Sequence, residues 1–94
     1  MSPREQLQHR LVDWLEAYPA RFTAPYGILP GLEDLPKGGK VRTVTFGVAR
    51  YLDATVYIWS PNRLTVKAQG PLAYKIDGNE YKTFDGLTED LALL

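Results

Sequence analysis

The chain has 94 residues, 45% of them hydrophobic and 12% aromatic, which is the composition of a folded domain and not of a disordered segment. A chain this short buries about 60 to 65% of its unfolded surface, too little for two cores, so residues 1–94 read as a single domain. The absence of cysteine excludes disulfides, zinc–thiolate sites and thiol catalysis, and the formal net charge of zero argues against a dedicated nucleic-acid binder.

The first residues, MSPREQLQHR, are polar where a signal peptide would carry an apolar run. The longest uncharged run, residues 22–32, is interrupted by Pro25, Gly27, Pro30 and Gly31, so no membrane span is expected and a cytoplasmic location is the default. Charge is unevenly laid out. Residues 37–75 hold seven cations (Lys37, Lys40, Arg42, Arg50, Arg63, Lys67, Lys75) against Asp53 alone, a net of +6, while 1–36 and 76–94 come to −2 and −4. Such a layout marks either an anion-facing surface or internal charge balance between a sheet and its acidic helices.

In chain order, Ser2-Pro3-Arg4-Glu5 combines a capping serine, proline at the first helical position and a glutamate placed to close a capping box. Leu7, Leu11, Trp14, Leu15 and Tyr18 then recur at helical spacing and form an apolar stripe, with Glu5, His9, Asp13 and Glu16 on another side. Pro19 is expected to end this helix. From Pro19 to Lys40, four prolines and four glycines rule out a long helix or a central strand, so the segment reads as a long Pro/Gly-rich loop. It carries Phe22, Tyr26, Ile28, Leu29, Leu32 and Leu35, so it is expected to pack against the sheet, with a single helical turn at Leu32 to Leu35.

Val41 to Arg50 alternates as a strand, with Val44, Phe46 and Val48 on one side and a bulge expected at Gly47. After a turn near Leu52 to Ala54, Thr55 to Ser60 forms a second strand and Pro61-Asn62 turns the chain into a third, Arg63 to Ala68. Leu72 to Ile76 and Asn79 to Thr83 flank Asp77-Gly78 as a hairpin. FDGLTEDLALL closes the chain as a short helix burying Leu87, Leu91 and Leu94. The expected class is α+β: an N-terminal helix, the long loop, an antiparallel meander of four to five strands and a short C-terminal helix, with the helices on one face of the sheet.

Equipment for catalysis is sparse. The two serines are spent on a cap and a turn, there is one histidine, and no G-x-S-x-G elbow occurs, so no enzyme is expected and no catalytic residue is assigned. His9 lies at helical spacing from Glu5 and Asp13, but one imidazole among solvated carboxylates reads better as a surface group than as a metal site; neither metal nor cofactor is expected. Pro36-Lys37-Gly38-Gly39-Lys40 lacks the spacing and the following helix of a phosphate loop. Phe46-Gly47 with Tyr51 meets three places of the aromatic RNA-recognition signature, but Val48 and Ala49 depart from it and the strand–helix–strand order is missing.

One constellation remains. If Val44, Phe46, Val56, Ile58, Leu64 and Val66 face the helices, the other side of the sheet displays Tyr57 and Trp59 with Arg63 and Lys67 one hairpin away, joined by Lys75. Two readings follow: the long loop covers these aromatics and makes them core, or they form a site. As a site, tryptophan, tyrosine and arginine suit a protein partner, and the alternative is stacking of single-stranded nucleic-acid bases on the same residues. The expectation is a non-catalytic interaction module with a macromolecular, preferably protein, partner. A small cysteine-free α+β chain of this kind is compositionally like a phage or mobile-element accessory or inhibitor protein.

Overall fold

Ser2 is extended and its Oγ accepts a hydrogen bond from the Glu5 N–H at 3.2 Å, so α1 (Pro3–Glu16) begins where the capping pattern places it. The Glu5 carboxylate does not turn back to the cap; it faces Arg42, Oε1 to Nη2 3.3 Å, and so ties the helix to the sheet. α1 ends at its cap Ala17, ahead of Pro19, which begins a separate helical turn, α2 (Pro19–Phe22).

The computed structural model describes residues 1–22, 27–48, 52–70 and 73–94. Five antiparallel strands follow one another in the sheet in chain order: β1 (Leu29–Asp34), β2 (Lys40–Val48), β3 (Leu52–Ser60), β4 (Arg63–Gln69) and β5 (Glu80–Tyr81). Another helical turn, α3 (Ala73–Ile76), separates β4 from β5, and α4 (Phe84–Ala92) closes the fold with Thr83 Oγ1 accepting from Gly86 N–H at 3.0 Å. The class is the α+β meander that the sequence predicts.

Four local expectations are corrected. The first concerns the long loop. Its second half is the edge strand β1, paired with β2 from Leu29↔Thr45 to Asp34↔Lys40, and Leu32 to Asp34 are extended where a helical turn was expected. An edge strand tolerates Pro30 because only one side of it needs ladder hydrogen bonds. The tight connection to β2 uses Gly38 (φ +93°) and Gly39 (φ +83°), conformations that other residues rarely adopt.

The second correction is α3. Tyr74 and Ile76 would share a face in a strand, yet Ile76 is buried and Tyr74 is 81% exposed, because the segment coils as a helical turn with Asp77 N–H bonded to Ala73 O at 2.7 Å. Asp77-Gly78 is therefore a link from α3 to β5 and not a hairpin turn. Third, Gly47 pairs regularly with Asp53; the irregular register lies between Ile58 and Ser60, beside the Pro61-Asn62 turn. Fourth, Leu52, Asp53 and Ala54 are paired residues of β3 and not a turn; Ala49, Arg50 and Tyr51 lie outside the described residues.

The core lies between the helices and one face of the sheet. Val44, Phe46 and Val48 of β2, Ala54, Val56 and Ile58 of β3, and Leu64 and Val66 of β4 supply the sheet side. All four helices answer on that same side: Leu7, Leu11 and Leu15 from α1, Phe22 from α2, Ile76 from α3, Leu87 and Leu91 from α4. Phe22 stands edge-on to Phe46, centroids 5.8 Å apart, an arrangement that the ring quadrupoles favour. The loop residue Phe22 is thus core, but against the helical face.

Tyr81 joins β5 to α4. Its hydroxyl donates to Asp90 Oδ2 at 2.7 Å and accepts from Asn79 Nδ2 at 3.1 Å. Burial, then the hydrogen bond to Asp90, pushes the phenol up to about 12 from its ordinary 10. A folded-state pKa above the unfolded one means stability that is whole below pH 10 and is lost as pH rises through about 12. Because the phenol is partly solvated, the loss should be about 1 kcal/mol, less than the full shift would give. Urea melts at pH 9 and pH 12 should show this loss in the wild type, and Tyr81→Phe should remove that part of the pH dependence.

Candidate functional site

Alternation along the strands leaves the second, outer face of the sheet without a helix from the described residues. Its side chains are read across the register: Leu29, Thr45, Thr55 and Lys67 form one row; Gly31, Thr43, Tyr57, Thr65 and Glu80 form the next. Trp59 lies one row further on, and Arg63 pairs with Ser60. The expected sidedness holds: Val56 and Ile58 go to the core, Tyr57 and Trp59 to the outer face, both half-buried.

What the aromatics touch is now visible. The Tyr57 and Trp59 rings stack on each other, centroids 5.9 Å apart and 16° from parallel. Trp59 Nε1–H donates to Thr65 Oγ1 at 2.8 Å, and the Arg63 guanidinium lies 5.5 Å above the indole. Beneath them, Val41 and Thr43 are only 1% and 3% exposed although both belong to the outer face, and Val41 is no member of the main core. Tyr57 is the register partner of Thr43, in a pair that makes no ladder bonds and so brings its side chains close. The register thus places the two rings on the face where Val41 and Thr43 are buried, so they are positioned to shield them.

Polar groups frame this cluster. Burial, then the nearby Glu33 carboxylate, raises the Tyr57 phenol above its ordinary range, so the hydroxyl is neutral and a donor at physiological pH. Thr45 and Thr55 hydroxyls are hydrogen-bonded at 3.1 Å. Arg63 Nε is 3.1 Å from Glu80 Oε1. Lys67 is exposed and lines a cleft of about 310 Å³ with Asp53, Thr55, Gln69 and Asp77. Asp77 there accepts from Ala68 N–H at 2.8 Å, and both aspartates are exposed, without the apolar enclosure that splits carboxylates into acid and base.

Four of the five expected site residues come together: Tyr57, Trp59, Arg63 and Lys67 share the outer face. Lys75 does not. It stands in α3 and borders a cavity with Asp90, Leu93 and Leu94, on the helical side of the sheet. The strand reading of Leu72 to Ile76 had placed it on the wrong layer.

Three of the seven cations in the basic middle of the chain are paired with carboxylates from outside it. Arg42 points to the helices and meets Glu5, Lys40 meets Asp34, and Arg63 meets Glu80. Among the described residues no three histidine, aspartate or glutamate side chains gather as a metal set, and no helix is long and apolar enough to cross a membrane.

Two polar residues that matter escaped the sequence reading. Gln8 is buried, and its Nε2 donates to Gly31 O at 2.8 Å and Thr43 O at 2.9 Å while Oε1 accepts from Arg42 Nη1, so one side chain pins α1 to β1 and β2. The signal was its spacing, three and seven residues ahead of Leu11 and Leu15. Thr65, which fixes the indole, had no such signal. No protein-family model matches the chain, and no curated protein or solved structure matches it either.

Proposed function

We propose that the protein is a non-catalytic interaction module that receives a protein partner on the outer face of its sheet, with Tyr57 and Trp59 at the centre and Arg63 and Lys67 at the rim. The observation that carries this reading is the outer face itself: every helix of the described residues packs on the opposite side, while a stacked tyrosine–tryptophan pair is held in place there by Thr65 and Arg63. Rigid aromatics beside an arginine supply contact area at small entropic cost, which is the usual composition of an interface centre. Neutralisation of Arg42, Lys40 and Arg63 by carboxylates favours a protein over a phosphate backbone, which needs unpaired cations along its track.

The test is a comparison of wild type with Tyr57→Ala/Arg63→Ala. The double variant should lose capture of the partner from an extract of the source cells while still melting cooperatively as a folded domain; the loss of the half-buried Tyr57 ring lowers the melt, and the exposed Arg63–Glu80 pair adds little to that. Undiminished capture by the variant contradicts the reading. Binding of single-stranded oligonucleotides that weakens steeply with salt would replace it with the nucleic-acid alternative on the same residues.

A further inference from the structure

Among the described residues no strand pairs with the second edge of β1, the terminal strand of the sheet. In the β1–β2 ladder Leu35 N–H bonds Gly39 O at 3.0 Å, and the hydrogen-bonded pairs alternate from there through Glu33/Val41, Gly31/Thr43 and Leu29/Thr45. The even residues therefore turn their backbone outward: the N–H groups of Leu32 and Asp34 and the carbonyls of Pro30, Leu32 and Asp34. Leu29 and Leu32 are 54% and 49% exposed, two of the few large apolar side chains left in solvent among the described residues, and both belong to this strand. An uncovered edge with exposed leucines is a template for another strand.

We propose that the occupant is β1 of a second copy of the chain, running antiparallel about a two-fold axis at Leu32. Self-complementarity selects that partner and that register. With the axis at Leu32, the two Leu32 residues exchange both backbone hydrogen bonds, and each Asp34 N–H meets the opposite Pro30 carbonyl, giving four bonds in which the missing proline N–H costs only one acceptor its partner on each side. Leu32 then lies beside Leu32 of the copy on the helical side, and Leu29 lies across from Leu35 of the copy on the outer side. Glu33 falls opposite Gly31, so no carboxylates confront each other.

Neighbouring registers fail on the same residues. An axis at Glu33 sets the two Glu33 carboxylates side by side and leaves Leu29 uncovered. An axis at Gly31 puts Leu29 against Glu33 and Leu32 against Pro30. An axis at Pro30 juxtaposes two residues without N–H groups. The Leu32 register produces one ten-stranded sheet with both helical layers on the same side, and both Tyr57–Trp59 faces open together on the other.

Sedimentation velocity of the full chain across a concentration series tests this. Wild type should sediment as a particle of twice the 10.6 kDa chain mass at high concentration and dissociate on dilution. Leu32→Lys, which sets two ammonium groups on the axis, should weaken association at least 100-fold while its circular dichroism melt remains that of a folded monomer. Because the chain has no cysteine of its own, single-thiol variants read the register directly. Leu32→Cys should cross-link between copies on mild oxidation far faster than Pro30→Cys, whose partner across the axis is Asp34. A wild type that stays monomeric overturns the proposal, as does a dimer that survives Leu32→Lys or cross-links equally from positions 30 and 32.

Discussion

Phe46→Ala should lower the unfolding free energy by about 3 to 5 kcal/mol, the range for removing a buried aromatic ring. A domain of this length has roughly 5 to 14 kcal/mol in all, so the variant should be partly unfolded at 37 °C. The reason lies in where the ring sits. Phe46 is 1% exposed at the centre of β2, meets Phe22 edge-on and belongs to the cluster that all four helices share. Removing it opens a cavity between α2 and the sheet and takes from Phe22 its sheet-side aromatic partner, leaving Trp14 and Tyr18. Phe46→Leu, which keeps most of the volume, should recover more than half of the loss. Urea denaturation followed by circular dichroism measures both; a cost under 1 kcal/mol for the alanine variant would mean that Phe46 is not central to the core.

Gly31→Val is the second large effect, and it acts through space and not through backbone freedom. A Cβ at position 31 would come within 2.7 Å of Thr43 Oγ1, closer than real Cβ contacts, and Thr43 is itself nearly fully buried. Either Thr43 rotates under Tyr57 or β1 lifts from β2, where the Gln8 amide grips the Gly31 and Thr43 carbonyls together. The expected cost is about 1 to 3 kcal/mol, as for overpacking elsewhere. Hydrogen exchange should localise it: the Thr43 amide, bonded to β1, should lose protection while the amides of β3 and β4 keep theirs. Uniform loss across the sheet would show that β1 does not open on its own.

The parts of this fold that were readable in advance are those where one local rule acts alone. Ser2 and Pro3 start α1 by capping chemistry, and Val44, Phe46 and Val48 or Leu64 and Val66 alternate without a competing pattern, so both the strands and their sidedness follow. β1 was hidden because Pro30 and Gly31 weigh against a strand in general; they are harmless only at an edge, and being at an edge is a property of the assembled sheet. Tyr74 and Ile76 fit a strand or a helical turn equally well over so few residues, and packing of Ile76 alone chose the turn. That choice also moved Lys75 off the outer face. Charge pairing was beyond the sequence entirely: nothing local tells that Arg42 meets Glu5 or that Arg63 meets Glu80, pairs that take up part of the excess of cations in residues 37–75.

The role of Tyr57 and Trp59 followed the same pattern. Their side of the sheet was legible from alternation, but their environment depended on where the 19–40 segment went. Its described parts reach the core through Phe22 and the sheet edge through β1, and the two rings lie on the face where Val41 and Thr43 are buried.

The most direct test of whether the outer face is open to a partner is fluorescence quenching of Trp59 in a Trp14→Phe background, with acrylamide alongside iodide because Arg63 and Lys67 draw an anion toward the indole. A half-exposed ring should be quenched well by both agents in the folded protein, and more weakly once a partner is bound. An indole that neither agent reaches in the isolated chain would mean that the face is already covered and is no place for a partner.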